Sequence, residues 1–112
     1  MTRKDWIGVD LDGTLARKGG LDDTVIGEPI PAMLARVKTW LNEGKRVKIF
    51  TARACEGDVA QIALIKAWCL KHVGQELEVT ATKDYDMAVL WDDRCVQVVP
   101  NTGRPANGEG VK

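Results

Sequence analysis

The chain has 112 residues, 45% of them hydrophobic and 29% charged, a composition that excludes a disordered or fibrous chain and leaves room for one domain with one core. Its 16 Lys plus Arg are balanced by 16 Asp plus Glu, so it lacks the basic footprint of a dedicated duplex-DNA binder.

Trp6-Ile7-Gly8-Val9 is a short apolar run without alternation, as expected for a strand buried on both faces of a parallel sheet, and it ends in Asp10-Leu11-Asp12-Gly13. Leu15 to Pro29 is polar and glycine-containing and reads as a loop or small flap. Pro31 can open a helix, because the first helical position needs no amide hydrogen. Met33, Leu34, Val37, Trp40 and Leu41 then recur at helical spacing, and Gly44 supplies a stop. Val47 to Phe50 reads as the next strand, leading into Thr51-Ala52-Arg53. A second helix is expected from about Asp58 to His72, with Asp58 as cap, Val59, Ile62, Ile65 and Cys69 along one face, and Gly74 beyond its end.

Leu77 to Thr80 is a weaker strand and Met87 to Trp91 a stronger one, ending in Asp92-Asp93-Arg94. Cys95 to Val99 reads as a last strand, and residues 100–112 as an irregular tail. Trp40 and Trp68 sit at helix-face spacing and are expected in the core, while Trp6 and Trp91 belong to the sheet. No run approaches the roughly 20 apolar residues of a membrane span, and the first residues do not form a signal peptide. Cys55, Cys69 and Cys95 are an odd number without a close pair, which argues against a disulfide framework or zinc knuckle and fits a reducing cytoplasm.

Alternating strands and helices predict a single α/β domain, Rossmann-like, with a mostly parallel sheet of about five strands flanked by helices. Ligands of such sheets sit beyond the carboxyl ends of the strands. Asp10 with Asp12, Thr51, and Asp92 with Asp93 all follow strands, so the fold class would bring them to one rim. The connection from Ala81 to Asp86 is shorter than the dozen residues that a parallel crossover usually takes, which leaves either a crossover reduced to a turn or a displaced preceding strand.

Asp10-Leu11-Asp12-Gly13-Thr14-Leu15 after a hydrophobic strand resembles the first motif of the haloacid dehalogenase (HAD) superfamily of phosphohydrolases. Phe50-Thr51 resembles the second motif, Lys83 the third, and Asp92-Asp93 after Met87 to Trp91 the fourth. Order and spacing match over residues 6 to about 99, and the closer likeness is to small HAD-like proteins of phages and bacteria. The resemblance implies a catalytic domain at residues 1–99 without a large cap, since 15–29 leaves space only for a flap. It implies Mg²⁺ held by the side chains of Asp10 and Asp92 and the backbone carbonyl of Asp12. Asp93 would help through water or hold Lys83, which would face the nucleophile.

The residue chemistry agrees. A carboxylate can attack phosphorus and form an aspartyl-phosphate, and Asp10, fixed at a strand end, is the nucleophile candidate. Asp12, two residues on, is the candidate general acid and base. Thr51 offers a hydroxyl and an amide to a phosphate oxygen, and Arg53 and Arg94 are substrate-binding candidates, with surface ion pairing as the alternative. Three ionised aspartates and a dianionic phosphate repel one another unless a hard divalent cation such as Mg²⁺ intervenes. The expected function is a Mg²⁺-dependent phosphatase acting on a phosphate monoester, either a small molecule or a macromolecular end, in an open site or under a lid borrowed from a second copy of the chain. The alternatives are a nucleic-acid-end phosphatase or phosphotransferase on the same core, a silent HAD-like binding protein, and a receiver-like protein that is itself phosphorylated. Receivers place their acidic pair before the phosphorylated aspartate, and the order here is the reverse.

Overall fold

The computed structural model describes residues 5–18 and 25–107. Four strands form one sheet: β1 (Trp6–Val9), β2 (Arg46–Phe50), β3 (Glu78–Thr80) and β4 (Met87–Trp91). Two helices, α1 (Pro31–Asn42) and α2 (Val59–His72), connect the first three. Every pairing is parallel and the spatial order is β3-β2-β1-β4, so the fold is a small Rossmann-like α/β domain. From β1 the chain winds outward through β2 to β3, then returns across the sheet to place β4 on the other side of β1. The reversal between β1 and β4 is a topological switch point, where such sheets hold their ligands.

The helices form where the local signals place them. Pro31 occupies the first turn of α1. Asp58 caps α2, its side chain accepting from Gln61 N at 3.1 Å. Both helices join one buried cluster with the sheet, in which Met33 and Val37 of α1 and Ile65, Trp68 and Cys69 of α2 meet Val9, Val47 and Ile49. Val59, expected on the buried face of α2, is 78% exposed. It is the first helical residue, and the residues that reach the sheet are those about two and three turns further on, at 65, 68 and 69. Trp6 and Trp91 lie in the sheet and Trp68 in the core, as expected, whereas Trp40 is only partly buried: it packs on the margin of the core and meets Trp91 of β4 at 5.4 Å between ring centroids.

The crossover from β3 to β4 is the segment 81–86, which opens on a bend and ends in a turn, and the strand before it is in place. It crosses the face of the sheet opposite the helices. The Trp6 indole Nε1–H donates to Asp84 Oδ1 at 2.8 Å, Trp6 N donates to Asp86 O at 2.8 Å, and Lys48 Nζ lies 3.9 Å from Asp84 Oδ2. Six residues suffice because polar side-chain contacts, rather than a packed helix, hold the segment down.

The fifth strand is not formed. Residues 95–99 pair with no strand of the sheet; Val98 instead makes an antiparallel bridge to Pro105, with Val99 N donating to Arg104 O and Ala106 N to Gln97 O. Only three residues separate β4 from Cys95, too few to return to the start of a parallel neighbour. Val96 and Val98 are therefore about half exposed, at 48% and 50%. Residues 100–107 are irregular, with turns on either side of the bridge at Pro105, as expected of the tail, and 108–112 lie outside the described residues, as do 19–24 of the expected flap. Among the described residues, no helix is long and apolar enough to cross a membrane.

Candidate functional site

The loop after β1 is anchored by apolar residues so that its acids face outward. Leu11 and Leu15 are both 0% exposed, and each buried leucine contributes about 1.5–3 kcal/mol. Backbone bonds close the loop on itself: Ala16 N donates to Leu11 O at 2.9 Å and Gly13 N to Ala16 O at 2.8 Å. At Asp10 the loop is tied to the neighbouring strand, with Asp10 N donating to Trp91 O at 2.8 Å. Gly13 has φ +92°, and a Cβ there would stand 2.5 Å from Asp93 Oδ2. Glycine is thus required both by the backbone and by the close approach of Asp93.

Asp10, Asp92 and Asp93 each offer a carboxylate oxygen, and these oxygens lie within 4.8 Å of one another, a spacing that could hold a cation. Hard carboxylate oxygens at this spacing suit a divalent metal. Thr14 is the connecting residue. Its hydroxyl lies 3.2 Å from Asp10 Oδ2 and 3.4 Å from Asp93 Oδ1, and it accepts from Asp93 N at 3.1 Å. Asp92 Oδ1 accepts from Arg94 N at 2.9 Å, which shapes the turn after β4.

These carboxylates do not all ionise freely. Burial, the bond with Asp93 and the charge of Asp92 push Asp10 up from 3.8 to about 7. Asp93 moves the other way. Although desolvation opposes ionisation, its bond with Asp10 and the neighbouring Lys18 ammonium hold it below the usual carboxylate range. Below about pH 7, a proton on Asp10 therefore competes with any cation for this carboxylate.

A cleft of about 310 Å³ opens beside the cluster. Asp10, Thr51, Asp92 and Arg94 line it, with Phe50, Ala52 and Ala81 as the less polar wall. Thr51 follows β2, is 3% exposed, and is pinned by its amide to Thr80 O at 2.9 Å. Its Oγ1 accepts from Arg53 N at 3.1 Å, leaving its own proton to donate.

The sequence-predicted residues divide into two groups. Asp10, Asp92, Asp93, Thr51 and Arg94 come together at the switch point. Asp12 and Arg53 pair with each other instead: Arg53 Nε donates to Asp12 Oδ2 at 2.8 Å and Nη2 to Oδ1 at 3.0 Å. Lys83 lines a separate depression with Asp84 and Tyr85 and is not among the residues that line the cleft. The cation at the acidic cluster is Lys18, with Nζ 3.3 Å from Asp93 Oδ2. Sequence reasoning passed over both Thr14 and Lys18. The position of Thr14, four residues after Asp10 in the same tight loop, was a usable signal; Lys18 sits in a segment without periodicity and left none.

No protein-family model matches the chain, and no curated protein matches it. Among solved structures, a conserved protein of Bacteroides thetaiotaomicron is similar, with 25% sequence identity and a TM-score of 0.56 over 85% of this chain and 80% of that one.

Proposed function

We propose that this protein is a Mg²⁺-dependent phosphohydrolase of the HAD type, cleaving phosphate monoesters through an aspartyl-phosphate on Asp10. The observation that supports it most is the meeting, at the switch point, of a three-carboxylate cluster with a cleft that Asp10, Asp92, Thr51 and Arg94 line, from segments far apart in the chain. A phosphate in that cleft is met by the Thr51 hydroxyl and the Arg94 guanidinium. The Asp10 carboxylate attacks phosphorus as the bond to the leaving oxygen breaks, and Asp12 supplies the proton that oxygen takes up. Water then attacks the phosphorus, gives its proton to Asp12, and Asp10 departs as a carboxylate. Asp10, Asp92, Asp93 and the Asp12 carbonyl would hold Mg²⁺ in this reading, and the ion would supply the positive charge that lets dianionic phosphate approach these acids.

The resemblance gave Lys83 a place near the nucleophile, but in this arrangement Lys18 holds Asp93. The three free cysteines, two of them exposed, suit a reducing compartment such as the cytoplasm. The test is phosphate release from aryl phosphates, sugar phosphates, nucleotides and phosphorylated DNA or RNA ends. Turnover should require Mg²⁺ and vanish in Asp10→Asn. Turnover that persists in EDTA, or in Asp10→Asn, rejects the proposal.

A further inference from the structure

Arg53 was a candidate for binding the substrate phosphate, but its guanidinium is turned elsewhere. Two of its nitrogens hold both Asp12 oxygens, at 2.8 and 3.0 Å. Nη1 donates to Gln61 Oε1 at 3.2 Å and Nη2 to Val25 O at 3.1 Å. The side chain is only 14% exposed, against 27% for Asp12, so the pair is shielded more than a surface ion pair. The backbone of Gln61 is itself held, because its main-chain N–H donates to the Asp58 cap of α2. The Arg53 amide binds Thr51 Oγ1. One residue thus ties together the cleft residue Thr51, the first turn of α2, the segment at Val25 and the carboxylate of Asp12.

We infer that Arg53 is the positioning residue for Asp12: its planar fork fixes the rotamer of the general acid and base, and it does not contact the substrate. A two-point grip of this kind fixes direction as well as distance, which a lysine ammonium cannot do. The inference rests on the phosphohydrolase reading, since that reading gives Asp12 its duty. Arg94, which lines the cleft and donates its amide to Asp92, is left as the arginine that meets phosphate.

The test is a double-mutant cycle in the full chain with Mg²⁺, using an alkyl and an activated aryl phosphate. Arg53→Gln should lower kcat for the alkyl phosphate about 10–100-fold with KM nearly unchanged, because a misdirected acid slows chemistry without weakening binding. Asp12→Asn with Arg53→Gln should be no worse than Asp12→Asn alone. Arg53→Lys, which keeps the charge and serves if the glutamine variant fails to fold, should show the same non-additivity and recover only part of kcat. The Trp68 indole, which donates to Gly27 O at 3.0 Å, gives a readout independent of turnover, and its NMR signal should move when the Val25 contact is lost. Additive losses, or a raised KM with kcat intact, overturn the positioning role and return Arg53 to substrate binding. A wild type inactive on every phosphate strikes the phosphohydrolase reading itself, and this inference with it.

Discussion

Asp10→Asn should stabilise the metal-free protein, because the Asp10 carboxyl is held where ionisation is unfavourable, and on the proposed mechanism it should also abolish turnover. Its carboxyl titrates at about 7 in the fold, against 3.8 ordinarily. The sign follows from linkage. A pKa raised by folding contributes stability that is present below the unfolded value and is lost as pH rises through the folded one. The Asp10 penalty therefore grows from about pH 4 to about pH 7 and is constant above. Three pKa units correspond to roughly 4 kcal/mol. Asp10 is only partly buried and its proton is engaged by Asp93, so about 1–2 kcal/mol is the realistic part. At ~2.1 cal/mol/K per residue, that is a rise in Tm of roughly 4–8 °C for 112 residues. The asparagine amide can also donate to Asp93, which the ionised Asp10 cannot.

The assay is thermal unfolding of wild type and Asp10→Asn in EDTA from pH 4 to 8, repeated with Mg²⁺. The gain should be small at pH 4, full at pH 8, and reduced or reversed by Mg²⁺, which stabilises the wild type by binding its folded form. No gain at pH 8, or a gain that shrinks as pH rises, would refute the account of the cluster.

In the wild type, Mg²⁺ should raise Tm more at pH 8 than at pH 5.5, because a proton on Asp10 competes with the cation below about 7; Asp92→Ala should remove most of this response, and calorimetric titration checks it directly. Gly13→Ala should cost about 1–3 kcal/mol from its positive φ alone and also displace Asp93, so it should weaken Mg²⁺ binding as well as stability in the same titrations. Leu15→Ala empties a site that is 0% exposed and should cost about 2–5 kcal/mol in urea unfolding. Trp6→Phe keeps most of the packing but loses the bond to Asp84, and should cost about 1 kcal/mol with faster amide exchange across residues 81–86.

Much of the fold was legible because the local signals agreed with one another. Pro31, Asp58 and the glycines after each helix mark boundaries that the structure keeps. Met87 to Trp91 was legible from its apolar run alone, although it is an edge strand with Val89 and Trp91 exposed at 47% and 36%. Residues 95–99 have the composition of a strand but lack the chain length to reach a parallel neighbour, and connection length overrode propensity. At the site, Asp10, Thr51 and the Asp92-Asp93 pair were legible because strand ends of a parallel sheet share a rim. Side-chain direction was not. Lys83 sits at motif spacing and Arg53 two residues after Thr51, yet Arg53 turns to Asp12 and Lys83 lines the Tyr85 depression, and rotamer choices in irregular segments leave no periodic trace.

The central claim is that Asp10 carries the phosphoryl group, and the most direct measurement is to trap it there. Asp12→Asn, mixed with an activated aryl phosphate and Mg²⁺ and quenched in acid, should stall after the first step. Peptide mass spectrometry should then find one phosphoryl group, alkali-labile, on Asp10. It should be absent when Asp10→Asn is added or Mg²⁺ is withheld. Label on another residue, or first-step turnover with no label on Asp10, would contradict the account.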